Sequence, residues 1–184
     1  MSPDPNERVA PVAPADRTDE QVELLAPLGG DDALAIFATL AHHPGLLRRW
    51  LPFGGKLLGG GKLPARDREL VILRAAHRCG ADYEWGQHVG LAVDAGVSRD
   101  EVRRVADPGV VGWSEREAAL LVAVDDVVAE HRMTDETWAS LARHYDTPQL
   151  IEIPMLAGHY AMLAGVLGSL GVRPEPGLPG LGEA

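Results

Sequence analysis

The chain has 184 residues, 46% of them hydrophobic, and a formal net charge of −10. That length is enough for one domain with its own core. The acidic balance argues against nucleic-acid and membrane-surface partners, because both are bound by basic faces. The single cysteine, Cys79, excludes an intrachain disulfide and a CxxC redox pair, and this usage fits a cytoplasmic location.

The composition divides the chain into three parts. Residues 1–19 are rich in proline and charge and lack the apolar centre of a signal peptide, which predicts a disordered lead-in. Residues 20–173 form the predicted domain, and residues 174–184 form a tail rich in proline and glycine. Within the domain, the segment 153–172 has no Asp, Glu, Lys or Arg and is long enough to cross a membrane. Four glycines, a histidine and a tyrosine interrupt it, so we interpret it as a buried helix.

Helical patterns of Ala, Leu, Glu and Arg cover the domain, and the alternation typical of strands is scarce. The sequence therefore predicts an all-α fold, a bundle of about seven or eight helices. In chain order the helical stretches are 21–28, 32–42, the short candidate 44–50, 65–79, 83–95, 99–105, 115–132, 135–144 and 148–170.

Local signals indicate where several of these helices begin. Asp82 is a predicted N-cap, and Ser98 and Ser114 each precede a glutamate by three residues, as in a capping box. The glycine-rich stretch 53–64 predicts a connector between two helices. The boundaries place residues 65–79 and 83–95 as neighbouring helices in a hairpin.

The hairpin brings candidate chemical groups together. Glu84 and His88 are four residues apart, which places them on one face of a helix. Glu69 lies about 16 Å before the bend at Gly80, and His88 lies about 12 Å after it, at 1.5 Å per helical residue. The two side chains can therefore face each other. A histidine between two carboxylates is a candidate acid–base group.

Plainer structural interpretations exist for the same residues. Glu84 and His88 could form a surface pair, and Glu69 could be salt-bridged by neighbouring arginines. Tyr83 and Trp85 could be core aromatic residues. No metal site is predicted, since the HEXXH pattern is absent.

The last predicted helix carries a ridge of small side chains. Such a ridge allows another helix to approach closely, either in the core or in a second subunit. Its members are Ala157, Ala161, Ala164, Gly165 and Gly168.

The stretch RELVILRAAHRCGADYEWGQHVGLAVDAGVSRDEV resembles the carboxymuconolactone decarboxylase family, within the AhpD-like superfamily. The resemblance covers roughly residues 34–176, and TWASLARHYDTPQLIEIPMLAGHYAMLAGVLGSLGV is similar to the family's C-terminal half. It implies an AhpD-like all-α fold and a homotrimer or homohexamer.

The AhpD-like branch contains peroxidase and disulfide-reducing proteins with a glutamate and a CxxCxxxH motif. Counted back from His88, the two cysteine places fall on Ala81 and Glu84, and the glutamate place falls on Glu69. The chain thus keeps the proton-handling partners without the redox pair. Cys79 lies two residues outside the motif, and we interpret it as a small buried hydrophobic residue.

The other branch decarboxylates a carboxylated lactone without a cofactor. The resemblance therefore implies an acid–base enzyme of decarboxylase or lyase type on a small lactone or oxo-acid, with no cofactor and no metal. Two alternatives are an alkylhydroperoxidase-like or peroxiredoxin-like antioxidant protein and a non-catalytic ligand-binding oligomer. The predicted catalytic residues are His88, Glu69 and Glu84. The predicted substrate-binding residues are Tyr83, Trp85, His159, Tyr160 and Arg74, the last as a countercharge for an anionic substrate.

Overall fold

The computed structural model of the chain describes residues 7–184. Within this range the chain forms nine α-helices and no strand, which confirms the all-α prediction. The helices are α1 (Asp19–Leu25), α2 (Ala35–Leu40), α3 (Pro44–Gly59), α4 (Ala65–Arg78), α5 (Asp82–Asp94), α6 (Arg99–Val105), α7 (Glu115–Glu130), α8 (Asp135–Leu141) and α9 (Thr147–Leu170).

The core is built around the hairpin of α4 and α5. Both helices pack against each other, and α7 and α9 cover α4. Leu73, Trp85, Leu120 and Leu156 meet there with no exposed surface. A second, smaller cluster joins α1, α2 and α3. The first three helices therefore form a layer beside the main bundle, and a cavity lies where this layer meets α5 and α9.

Two of the three predicted N-caps are confirmed. Ser98 and Ser114 each accept a hydrogen bond from the backbone three residues later, which closes both capping boxes. The prediction for Asp82 is wrong, because the N-cap is Ala81 and Asp82 is the first residue of α5. The Asp82 carboxylate instead accepts a hydrogen bond at 3.0 Å from the backbone N–H of Leu181 in the tail.

The glycine-rich stretch 53–64 differs most from its predicted structure. Helix α3 continues through it as far as Gly59, past Pro52 inside the helix. A Cβ on Gly54 would lie 3.3 Å from the Trp50 ring and 3.5 Å from Nε2 of His159 on α9. This glycine therefore serves close packing of α3 against α9, and the helix tolerates it at a cost of about 1 kcal/mol relative to alanine.

The predicted lead-in and tail both contact the domain. Residues 1–6 lie outside the described residues, but Val12 is buried and its N–H donates to the carbonyl of Ala38 at 3.1 Å. The tail is non-helical, as its composition indicates, and its Glu183 carbonyl accepts from Nε1 of Trp85 at 2.8 Å. Side chains of both segments thus add to the packing of the domain.

Helix α9 is the one described helix that is long and apolar enough to cross a membrane. In the structure it packs against α3, α4, α5 and α7, as expected for a core helix. The predicted ridge of small residues divides between two environments. Ala157 is fully buried, whereas Gly165 and Gly168 are exposed. Its first half therefore packs in the core and its second half lies on the surface.

Candidate active site

A cavity of about 530 Å³ lies between the N-terminal layer and helices α5 and α9. We call it the main cavity. Most of its wall is apolar. The polar side chains in the wall come from α5 and α9, and all of them except Gln87 were predicted as site residues from the sequence. These polar residues are Tyr83, Glu84, Gln87, His88, His159 and Tyr160.

Three buried side chains form a hydrogen-bonded chain that ends at the cavity wall. Nδ1 of His88 lies 2.7 Å from Oε2 of Glu69, and Nε2 of His88 lies 3.0 Å from the hydroxyl of Tyr160. Oε1 of Glu69 accepts a further hydrogen bond from Arg68 at 2.9 Å. A neutral His88 that donates through Nδ1 to the carboxylate accepts the Tyr160 proton at Nε2. Glu69 and His88 thus meet across the hairpin as predicted, and they orient the Tyr160 hydroxyl.

Glu84 lies one turn before His88 and differs from it in its hydrogen bonding. Its side chain is 3% exposed, and neither carboxyl oxygen has a hydrogen-bond partner among the described residues. Burial raises the pKa of Glu84 to about 7. An apolar surrounding disfavours the ionised form, so near neutral pH this group is present in both protonation states. A carboxyl group with these properties can both give and take a proton.

His159 forms part of the wall opposite α5. Its ring stacks on the ring of Trp50, with a centroid distance of 5.9 Å and an interplanar angle of 15°, and the edge of Phe53 meets it at 5.3 Å. Its Nδ1 atom is buried and has no partner in the described part of the chain, and burial lowers the pKa of His159. A neutral imidazole with a free nitrogen is therefore available to hydrogen-bond an uncharged ligand.

Tyr83 lines the cavity, but its hydroxyl bonds to the protein. The hydroxyl accepts from the N–H of Ile36 at 3.2 Å and donates to Glu175 at 3.3 Å. Gln87 also donates to Glu175, and that carboxylate accepts from the N–H of Ala35 at 2.8 Å. Burial raises the pKa of Tyr83. These contacts tie the tail and the start of α2 to α5 at the edge of the cavity.

The structure does not bring two predicted substrate-binding residues to the cavity. Arg74 is fully buried on the other side of α4, where it pairs with Asp125 at 2.8 Å. Trp85 is buried in the core and its indole N–H donates to the tail. Adjacent residues of a helix project in different directions. Because Glu84 and His88 lie on the cavity side of α5, Trp85 projects away from the cavity into the core. No lysine or arginine is among the described residues that line the cavity.

Cys79 lies at the end of α4, outside the cavity lining, and it is half-buried. Burial and the charge of Glu84 raise the pKa of its thiol. A thiol in this state is a poor nucleophile, since the thiolate is the reactive form. Within residues 7–184, no group of three or more His, Cys, Asp or Glu side chains could hold a metal ion.

Sequence reasoning missed the wall that α3 contributes. Trp50 and Phe53 contact His159, and Trp50 lines the cavity together with Phe37 of α2. The signal for a longer α3 was weak, because glycines and a proline interrupt its apolar pattern. The four-residue spacing from Trp50 to Gly54 was the one available indication of a helical face.

The sequence profile of the carboxymuconolactone decarboxylase family matches residues 44–125, which include Glu69, Glu84 and His88. No curated protein matches the sequence significantly. Three solved structures at 14–19% identity share the fold. An uncharacterized peroxidase-related protein from Silicibacter sp. TM1040 has 14% identity and a TM-score of 0.80, with 100% of this chain and 99% of that chain covered.

The second similar structure is the alkylhydroperoxidase AhpD core of an uncharacterized peroxidase-related protein from Ralstonia eutropha JMP134. It has 19% identity and a TM-score of 0.74, and 95% of each chain is covered. The third is a variant of the debrominase Bmp8 in complex with 2,3,4-tribromopyrrole. It has 17% identity and a TM-score of 0.76, again with 95% of each chain covered. At these identities the likeness establishes the fold alone.

Proposed function

Because the chain belongs to the carboxymuconolactone decarboxylase and AhpD-like superfamily, we propose that it is an acid–base enzyme of lyase or isomerase type. Its substrate is a small, uncharged and largely apolar lactone or ketone, and the proposed chemistry requires no cofactor. The single observation that carries this proposal is the buried, unpartnered carboxyl group of Glu84 in the main cavity.

Glu84 is the group that exchanges a proton with a substrate carbon. With a pKa of about 7 it takes a proton as carboxylate and returns it as carboxylic acid near neutral pH. Unlike His88, whose two ring nitrogens already have partners, neither Glu84 oxygen has a hydrogen-bond partner among the described residues, and Glu84 lines the cavity. General acid–base groups contribute about 10² to 10⁴ in rate, which sets the expected loss when this carboxyl is removed.

Tyr160 and His159 bind the carbonyl oxygen of the substrate in this proposal. Removing a proton beside a carbonyl places negative charge on that oxygen, and a nearby hydroxyl or N–H stabilises the charge. The Tyr160 hydroxyl has a single proton. It donates this proton to the substrate oxygen when His88 carries a proton on both ring nitrogens, because Nε2–H then donates to the Tyr160 oxygen while Nδ1–H donates to Glu69. His88 and Glu69 therefore position the Tyr160 hydroxyl, and His88 supplies a proton that compensates the negative charge on the substrate oxygen.

The charge of the cavity supports an uncharged substrate. A carboxylate moved from water into an apolar cavity needs a cation or several donors in compensation. The described lining has no lysine or arginine, and the predicted countercharge, Arg74, is bound to Asp125 elsewhere. Repulsion from the ionised fraction of Glu84 adds to the penalty for a bound anion.

Decarboxylation of a carboxylated lactone is a second candidate, and the same apolar lining favours it in one respect. Loss of carbon dioxide breaks the carbon–carboxylate bond and leaves its electron pair on the substrate as an enolate. A proton from Glu84 then returns to the carbon. A cavity that destabilises the starting carboxylate relative to neutral carbon dioxide accelerates this step, although it weakens substrate binding.

The two remaining alternatives have less support. A dithiol peroxidase needs two sulfurs, and the chain has one cysteine, whose thiol pKa is raised. A non-catalytic ligand-binding protein would use the same cavity. It would not, however, need a carboxyl group whose pKa lies near neutral pH, because an amide would hydrogen-bond a ligand without the cost of ionisation.

The test uses a β,γ-unsaturated γ-lactone, α-angelica lactone, in deuterated water. The proposal predicts enzyme-dependent migration of the double bond, with solvent deuterium appearing at the γ carbon in the NMR spectrum. Glu84→Gln should lower the rate about 10² to 10⁴-fold. Glu136→Gln, on the exposed surface of α8, is the matched control.

The same assay with a carboxylated lactone, monitored by release of carbon dioxide, distinguishes the lyase candidate. Failure of a broad panel of uncharged and carboxylated lactones and ketones, together with tight binding of some of them, would support the binding-protein alternative. Equal rates for wild type and Glu84→Gln on any turned-over substrate would contradict the role of Glu84.

A further inference from the structure

A second cavity of about 400 Å³ adjoins the main cavity and has no assigned role. We call it the side cavity. It lies between α2, α3 and the C-terminal half of α9, where Thr39, Leu47, Met162 and Val166 are among its lining residues. Trp50 and Leu163 line both cavities. The two spaces are therefore neighbours that share one wall of side chains.

The side cavity is almost wholly apolar. Two histidines lie in its lining, but both bond to the protein backbone. Nε2 of His42 lies 3.0 Å from the carbonyl of Ala10, and Nδ1 of His43 accepts from the N–H of Leu46 at 3.3 Å. No lysine, arginine, aspartate or glutamate is among the described residues that line it. Such a space suits a hydrocarbon chain and offers little to a charged ligand.

Two polar groups at the wall of the side cavity lack a hydrogen-bond partner within residues 7–184. Thr39 is 2% exposed, and its hydroxyl makes no hydrogen bond within the described chain. Buried hydroxyl groups are nearly always paired, so an unpaired one in a cavity wall indicates a ligand atom or a water molecule. The indole N–H of Trp50, at the wall between the cavities, is also buried and bonds to none of the described residues.

We propose that the side cavity binds the alkyl tail of the substrate whose reactive head lies at Glu84. The inference rests on the proposed function and specifies the substrate class, a lactone or cyclic ketone with an unbranched alkyl side chain. A hydroxyl or ether oxygen on that chain would give Thr39 its missing partner. The size of the cavity accommodates a chain of several carbons.

The positions along α9 support this path. Tyr160 lies at the head of the proposed ligand, Leu163 lies at the shared wall, and Val166 lies in the side cavity. From Tyr160 to Val166 is about 9 Å along the helix, at 1.5 Å per residue. A chain that leaves the head group beside Tyr160 and follows α9 therefore enters the side cavity after a few carbons.

The experiment measures the affinity of saturated γ-lactones with ethyl, butyl, hexyl and octyl side chains by titration calorimetry. Burial of each added methylene should lower the Kd about fourfold until the side cavity is full, after which the Kd levels off. Binding is measured without turnover, so the result does not depend on catalysis. The series uses the full-length wild-type protein.

Two variants test where the tail lies. Met162→Trp adds bulk at an exposed residue that lines the side cavity, and Val166→Phe fills the same cavity from the next turn of α9. Both should collapse the affinity ratio between the hexyl and ethyl lactones toward one. Val93→Phe on α5 makes a matched increase in size outside both cavities and should keep the wild-type ratio.

The outcomes separate this inference from the proposed function. Binding of the lactones with no dependence on chain length would overturn the inference and leave the acid–base proposal standing. A chain-length dependence that persists in both filled variants would also overturn it, because the tail would then lie elsewhere. Absence of binding by every lactone would overturn the inference and contradict the proposed substrate class together.

Discussion

Buried ionisable side chains occur in two regions of the hairpin, and they differ in how well they are satisfied. At the end of α4, Arg74 makes four hydrogen bonds, two to Asp125 and one each to the carbonyls of Val105 and Asp107. Arg78 adds two more to the same aspartate. On the cavity face of α5, Glu84 is also buried, and its carboxyl oxygens make no hydrogen bond to any described residue.

The difference indicates which buried group serves structure and which serves chemistry. A satisfied ion pair holds α4 to α7 and the loop after α6, and its energy depends on every partner staying in place. An unsatisfied carboxyl lowers stability, and natural proteins retain such groups mainly at functional sites. The hairpin thus combines a structural end with a reactive face.

Breaking the satisfied region should have the largest effect on stability. Arg74→Met removes one of the two arginines that pair with Asp125 and leaves two backbone carbonyls without their buried donor, so we expect a loss of about 3–5 kcal/mol in the free energy of unfolding. Urea denaturation followed by circular dichroism measures it. Arg103→Met, which breaks an exposed pair with Asp100, should change stability by less than about 1 kcal/mol. A similarly small loss for Arg74→Met would contradict the structural role.

Neutralising Glu84 should have the opposite effect and raise the free energy of unfolding above neutral pH. The folded-state pKa of Glu84 is raised from 4.5 to about 7, so the folded protein binds a proton that the unfolded chain releases. Wild-type stability therefore falls as pH rises through this window. Glu84→Gln removes that dependence and should be more stable than wild type at about pH 8 by up to about 3 kcal/mol.

The same comparison at about pH 4 provides the internal control for Glu84→Gln. There the wild-type carboxyl is protonated in the folded state and mostly protonated in the unfolded chain, so the two proteins should have nearly equal stability. Urea titrations at the two pH values give the difference directly. A variant that is less stable than wild type at about pH 8 would indicate that Glu84 has a structural partner in solution.

The sequence indicated these two regions unequally well. The pairing of Glu69 with His88 followed from helix geometry, because the two residues lie at similar distances on either side of the bend at Gly80. The role predicted for Arg74 was wrong. Arg74 pairs with Asp125 of α7, and local sequence patterns do not specify how α7 packs against α4. The contribution of Trp50 was missed, because it requires α3 to run on through its glycines.

A further prediction concerns the oligomeric state and rests on apolar side chains at the molecular surface. Trp138 of α8 is 48% exposed, and Ile151 and Met155 of α9 are 57% and 46% exposed, which makes an apolar surface away from both cavities. We expect this surface to be covered in a homotrimer or homohexamer. Light scattering should give at least three times the subunit mass of 19.7 kDa. A mass near that of one subunit at micromolar concentration would contradict the expectation.

The smallest effect is expected at Cys79, which lies between the two regions. Its half-buried thiol has a raised pKa and no second sulfur to resolve a disulfide. Cys79→Ser should therefore change the free energy of unfolding by no more than about 1 kcal/mol and leave lactone turnover intact. Consumption of peroxide with a thiol reductant by the wild type, lost in Cys79→Ser, would instead favour the antioxidant alternative.

The protonation of Glu84 is the most direct test of the difference between the two regions. Glutamate carboxyl carbons labelled with carbon-13 report their titration by NMR, and Glu84→Gln identifies the resonance of interest. We expect one carboxyl group with a titration midpoint near pH 7 whose resonance is missing from the variant. Titration of the Glu84 resonance near its ordinary value, about 4.3, would contradict the claim that the cavity holds a carboxyl poised for proton transfer.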